Sequence, residues 1–165
     1  MNLSHINELE GTEAEEAFLK CCGSRRWASE MALHRPFHTP DELLHHAERV
    51  WARLDETDWL EAFDAHPKIG DVESLKKKYG ATRNWSENEQ SGVSSAEQSV
   101  IEDLAKQNSL YEERFGFIFI VCATGKSAAE MLEILNSRIN NSRSDELTNA
   151  GAEQKKITCL RLEKL

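Results

Sequence analysis

The sequence predicts an all-α fold, a single compact multi-helix domain spanning residues 1–165. Three observations predict it. Helix-start signals recur along the chain, apolar residues recur between them at three-and-four spacing, and one passage alone has strand-like composition, with no strong second strand to pair with. A chain of 165 residues can bury a core without disulfides or a structural metal. Hydrophobic residues make up 39% and charged ones 30%, the balance of a soluble globular protein. The formal charge of −9 disfavours nucleic acid or an anionic membrane surface as a partner. No apolar run approaches the roughly 18 residues that a spanning helix needs. The start Met1-Asn2-Leu3-Ser4-His5 lacks the basic and apolar regions of a secretory signal, so an intracellular protein is expected.

Thr12-Glu13-Ala14-Glu15 reads as a capping box opening a short helix, interrupted at Gly23-Ser24. Arg25 to Leu33 forms the next, with Trp27, Ala28 and Met31 on one side, and Pro36 closes it. Thr39-Pro40-Asp41-Glu42 combines a capping hydroxyl, a proline at the first helical position and acids at the positive end of the dipole. Behind it, Leu43, Leu44, Ala47, Val50, Trp51 and Leu54 line one face. Thr57 begins a short piece carrying Trp59, Leu60 and Phe63, and Asp71 caps a stretch from Val72 to Lys78. The run Lys76-Lys77-Lys78 reads as a solvated face.

Ser86 and Glu89 have capping-box spacing, and Ser94-Ser95-Ala96-Glu97 repeats the signal before a long helix striped by Val100, Ile101, Leu104, Asn108, Tyr111 and Phe115. Gly116 suits its end. The strand-like passage from Phe117 to Ala123 is expected to be a buried extended segment or a distorted helix. Gly125-Lys126-Ser127 lacks the earlier glycine of a phosphate loop, since Ile120 stands there, and reads as a turn and cap. Ser127 and Glu130 box a helix with Met131, Leu132, Leu135 and Ile139 on its apolar face. The last helix runs from about Asp145, with Leu147, Ala150, Gln154, Ile157 and Leu160 inward.

Cys21, Cys22, Cys122 and Cys159 show neither C-x-x-C spacing nor the density of a disulfide scaffold, and read as small buried hydrophobes. His34 and His38 are four apart, but Pro36 between them breaks the helix that would aim both at one metal, and no metal site is expected. His66 is different. It follows a helix-like run, Pro67 pushes it out of helical backbone space, and an imidazole at such a bend is either a turn residue or a proton-transfer group tuned near neutrality. Arg161, four residues after Ile157, lies beside the apolar stripe: either its stem packs and its head reaches solvent, or its charge meets an anion.

Taken together, several segments carry a resemblance: Cys21-Cys22-Gly23-Ser24, Trp59-Leu60-Glu61-Ala62-Phe63, His66-Pro67-Lys68-Ile69-Gly70, Ser86-x-x-Glu89-Gln90, Phe115 to Cys122, and Lys156-Ile157-x-x-Leu160-Arg161-Leu162. The chain resembles the 2-oxo-4-hydroxy-4-carboxy-5-ureidoimidazoline (OHCU) decarboxylase family of urate degradation, which includes the decarboxylase part of plant allantoin synthase. The resemblance implies an all-helical domain, commonly a homodimer, that converts OHCU to (S)-allantoin and carbon dioxide with no cofactor. It makes His66 the catalytic histidine and assigns Glu89 a catalytic role. It places Pro67, Ser86, Gln90, Arg161 and the segment Phe117, Ile118, Phe119, Ile120 and Val121 at the substrate. Glu97-Gln98 is a second Glu-Gln pair, but Ser86-x-x-Glu89-Gln90 fits the motif's layout better.

The alternative class for the same residues is a non-catalytic helical module binding a purine metabolite or a protein partner. A cytoplasmic location is favoured over a peroxisomal one, because Glu163-Lys164-Leu165 only partly matches the Ser-Lys-Leu address. No transthyretin-like hydrolase segment follows in this sequence, which fits either a stand-alone enzyme or part of a fusion.

Overall fold

The computed structural model describes residues 2–68, 71–80 and 90–165, except for the side chains of 80 and 90–96. Ser86 and Glu89 lie outside the described residues. Among those described there are nine helices and no strand. The chain divides into two compact units. The first comprises Met1–His66, Ile120–Cys122 and Thr148–Leu165, the second Pro67–Phe119 and Ala123–Leu147.

The first unit opens with α1 (Leu3–Glu8), where Asn2 Oδ1 accepts from the His5 amide at 3.2 Å. In α2 (Gly11–Cys21) the cap differs from expectation. Glu10 and Glu13 form the capping box, so Thr12 lies inside the first turn. A carboxylate there accepts the same amide protons as a hydroxyl and adds a favourable charge at the positive end of the dipole. Ser24 caps α3 (Arg25–His34) and Thr39 caps α4 (Pro40–Ala52), with Pro40 in the first turn as read. The predicted face of α4 is inside, with Leu43, Ala47, Val50 and Trp51 buried, each large aliphatic side chain contributing roughly 1.5–3 kcal/mol. Helix α5 (Glu56–Asp64) starts at an Asp55–Asp58 capping box.

Helix α3 is the centre of this unit, packing against α2, α4 and α5. Trp27 is fully buried, and its indole Nε1 donates to Ala47 O at 3.1 Å, so burial leaves no polar atom unpaired. Trp51 and Trp59 stack with centroids 5.4 Å apart and planes 7° from parallel. Gly151 lies under the Trp59 ring, whose atoms begin 3.2 Å from where a Cβ would stand.

The second unit contains α6 (Val72–Gly80), α7 (Gln90–Phe115) and α8 (Ala128–Arg138). Helix α7 begins earlier than expected, and Ser94-Ser95-Ala96-Glu97 lies within it. The serine–glutamate spacing also occurs between neighbouring turns of a helix interior, so it cannot by itself mark a start. Gly116 ends α7 at φ +79°, a left-handed conformation that side chains resist. The Ser127–Glu130 capping box of α8 is present as read. Lys76, Lys77 and Lys78 are exposed. After Gly116 the chain runs through residues 117–123 as neither helix nor strand, with Phe117 and Ile120 buried.

The core of this unit holds an ion pair. Glu146, fully buried, accepts from Arg138 Nη2 at 2.8 Å and Nε at 2.9 Å, from Tyr111 Oη at 2.5 Å and from Asn141 Nδ2 at 2.8 Å. Arg138 also lies over the Phe119 ring, 4.8 Å from its centroid. Burial, and then the bond to the Glu146 carboxylate, push the Tyr111 phenol well above its ordinary range, so it remains a donor.

Helix α9 (Arg143–Leu162) begins in the second unit and continues through the first. Its buried column is rotated from the predicted one. Glu146, Ala150, Gln154, Thr158 and Leu162, each four apart, are buried, whereas Leu147, Ile157 and Leu160 are half-exposed. Polarity hid this face, because three of its five residues carry hydrogen-bonding groups that the apolar stripe rule discounts. No helix among the described residues is long and apolar enough to cross a membrane.

Candidate active site

His66 sits where α5 stops. Ala65 closes the helix, the His66 amide donates to Phe63 O at 3.1 Å, and Pro67 follows with no amide proton and a fixed φ. The imidazole is half-buried, and its Nε2 lies 2.6 Å from Oε1 of Gln154 on α9. Gln154 is completely buried, and its amide nitrogen donates to Thr158 Oγ1 one turn on, at 3.2 Å. The Thr158 hydroxyl and the Ser24 backbone lie near the Cys22 thiol and offset part of the effect of its burial.

Arg161 occupies the next turn of the same helix. Its Nη1 lies 3.3 Å from Cys21 O and 3.5 Å from Lys20 O, carbonyls at the negative end of α2. One guanidinium nitrogen is thereby tied to α2, which fixes a cation without neutralising it. Burial lowers the His66 pKa below its ordinary value, and Arg161 lowers it further, while the Gln154 bond works in the opposite direction. The imidazole is therefore neutral at neutral pH. Burial also raises both Cys21 and Cys22 to about 11, so both remain thiols there.

The turn Cys22-Gly23-Ser24 touches the end of α5 directly. A Cβ added at Gly23 would overlap the Ala65 Cβ, one residue before His66. Gly23→Ala is expected to cost about 1–3 kcal/mol by overpacking and to displace His66. A displacement of about 1 Å can lower turnover on the order of 10²-fold. Thermal melting and kcat/KM measured on the same preparation check both effects, and wild-type kinetics would refute the link from Gly23 to His66.

Of the residues singled out from sequence, His66 and Arg161 come together in the first unit, which also holds Ile120 and half-exposed Val121. Pro67, exposed, belongs to the second unit, as do Phe117, Ile118 and Phe119. Phe117 and Phe119 pack edge-on to Tyr111 at 6.0 and 5.2 Å. Gln90 is the first residue of α7. Four free cysteines are present, Cys21 and Cys22 buried, Cys122 and Cys159 only half-buried. No group of three or more metal-binding side chains occurs among the described residues.

Sequence reasoning placed Gln154 inward without a role and overlooked Thr158. The available signal was the polar pair at i and i+4 within a buried column.

A neutral imidazole and a tethered guanidinium within one helical unit are groups able to exchange a proton and to hold an anionic or carbonyl oxygen. The chain belongs to the OHCU decarboxylase family, whose model matches residues 7–163. It is 40% identical over 152 residues to the uric acid degradation bifunctional protein TTL of Arabidopsis thaliana, covering 92% of this chain and 47% of that protein. The chain thus spans about half of that relative's length. It is 27% identical to the 2-oxo-4-hydroxy-4-carboxy-5-ureidoimidazoline decarboxylase of Haloferax volcanii, covering 98% of this chain and 94% of that one. Among solved structures, an OHCU decarboxylase crystallised in the presence of (S)-allantoin matches with TM-score 0.73 and 40% identity, over 91% of this chain and 96% of that one. An (S)-allantoin synthase shares the fold at TM-score 0.72 and 15% identity, over 99% of this chain and 53% of that one.

Proposed function

We propose that this chain decarboxylates OHCU to (S)-allantoin and carbon dioxide in urate degradation, without a cofactor. The observation that carries the reading is His66, held at Nε2, neutral and half-buried beside Arg161, within a family match of nearly full length. The substrate carries its carboxylate next to a carbon–nitrogen double bond. The electron pair released with carbon dioxide flows into that bond, so the substrate is its own electron sink. The remaining tasks are to take the proton of the substrate hydroxyl, deliver a proton to one face of the ureido-bearing carbon, and orient the ring.

His66 performs the proton transfers. Glu89 supports the imidazole, Ser86 and Gln90 hydrogen-bond the ureido and ring amides, and Pro67 with Phe117, Ile118, Phe119, Ile120 and Val121 contact the substrate; these roles rest on the family resemblance. Arg161 holds an anionic or carbonyl oxygen with donors left over from its α2 carbonyls. Too tight a grip on the departing carboxylate would oppose its loss, so the arginine is better matched to an oxygen that persists into product. A homodimer and a cytoplasmic location complete the proposal.

The test is a chiral assay on freshly generated OHCU. Spontaneous decay gives racemic allantoin, and the protein is expected to accelerate its formation and give the S enantiomer in excess. Binding without acceleration would instead identify a non-catalytic module.

A further inference from the structure

The hydrogen bonds behind His66 have a direction. An amide nitrogen can only donate, and a hydroxyl oxygen can accept. Gln154 then donates its amide nitrogen to Thr158 Oγ1, which turns Oε1 toward His66. An amide oxygen can only accept. The imidazole must therefore present a proton on Nε2.

We propose that Gln154, itself oriented by Thr158, is a positioning residue that holds His66 in the Nε2–H tautomer, so that Nδ1 carries the lone pair used in proton transfer. The proposal rests on the reading of His66 as the proton-transfer group. In the reaction Nδ1 takes the hydroxyl proton of the substrate, the imidazolium keeps its Nε2 proton on Gln154, Nδ1 returns that proton to carbon as the carbonyl forms, and the ring nitrogen that received the electron pair takes its proton from water. The count of protons on the enzyme is restored. A neutral amide suits a group that must gain and lose a charge each cycle. It accepts from imidazole and imidazolium alike, whereas a carboxylate in its place would favour the charged form. Burial first, and then Arg161 among the described charges, oppose protonation and keep the resting imidazole neutral.

The consequence for the sequence is specific. Two polar residues one turn apart on a buried face, Gln154 and Thr158, set which nitrogen of a histidine 88 positions away does the chemistry.

Imidazole nitrogen NMR of 15N-histidine-labelled protein reads the tautomer directly, without turnover. Wild-type protein above the His66 pKa is expected to show a protonated Nε2 and an unprotonated Nδ1. A dominant Nδ1–H form, or an even mixture, overturns the proposal. Thr158→Val is expected to free the Gln154 amide and produce a mixture of tautomers, and unchanged spectra in that variant overturn the role given to Thr158. Gln154→Leu is expected to lower kcat roughly 10–100-fold, the loss usual when the partner orienting a functional histidine is removed, with much less change in KM. Gln154→Glu is expected to shift the acid limb of kcat/KM and the NMR titration of His66 upward by roughly 1–3 pH units.

A purely structural glutamine gives the contrary result, a lower melting temperature in Gln154→Leu with wild-type kcat and no shift of the acid limb in Gln154→Glu. Should Gln154→Leu fail to fold, the Glu and Val variants still decide. Full turnover in a His66 variant would sink the parent reading, while the tautomer in wild-type protein is judged separately by NMR.

Discussion

His66→Asn is expected to lower kcat/KM for OHCU by roughly 10²–10⁴-fold, the usual contribution of a positioned general acid–base group, and to leave the helical circular dichroism intact. Asparagine retains an amide donor within reach of Gln154 but cannot take a proton near neutral pH. The pH profile sharpens the expectation. Burial and Arg161 depress the His66 pKa, so in the wild type the acid limb of kcat/KM falls below about 6.5, the unperturbed value. Stability follows the same group with a defined sign. Between the unfolded value and the lower folded one the unfolded chain binds more protons, so wild-type stability declines as the pH falls through that window. In His66→Asn this component is gone, and the gap in melting temperature between variant and wild type should move in the variant's favour from pH 7 to pH 5. Wild-type turnover, or an acid limb above 7, would remove His66 from the mechanism.

Glu146→Gln is expected to destabilise the protein by about 3–5 kcal/mol, because it leaves the Arg138 charge in the interior without its counter-ion. The shape is preserved and the Tyr111 and Asn141 bonds can be partly remade, so the loss isolates charge from packing. Urea unfolding followed by circular dichroism measures it. The companion Glu146→Leu, Arg138→Met is expected to recover most of the loss, since an apolar pair of similar volume avoids both desolvation penalties. A single variant as stable as wild type would mean that water or another group compensates Arg138.

The all-helical class and most helix positions were legible because Thr39-Pro40, Ser127-x-x-Glu130 and the stripe of α4 state local rules that the packing obeys. The start of α2 was misplaced, since Glu10 can cap as well as Thr12 and propensity alone prefers the hydroxyl. The inner face of α9 was misread for a deeper reason. Buried Glu146 and Thr158 are each hydrogen-bonded to other buried side chains, and a periodicity rule that scores them as polar cannot see those partners. The position of His66 at a bend was legible from Pro67, but its depressed pKa was not, because burial and the approach of Arg161 exist only after folding. Gly23 was read as an interruption of helix, whereas its use is the close approach to Ala65.

The stacked pair Trp51–Trp59 also has an optical consequence. With Trp27 it places three of the four tryptophans in the first unit, while both tyrosines, Tyr79 and Tyr111, belong to the second. After Trp85→Phe, indole emission becomes a native dye for the unit that carries His66. The near-ultraviolet tyrosine band reports on the unit built around Glu146. Melts followed at the two wavelengths therefore assign each variant's loss of structure to its own half of the protein, with no label attached.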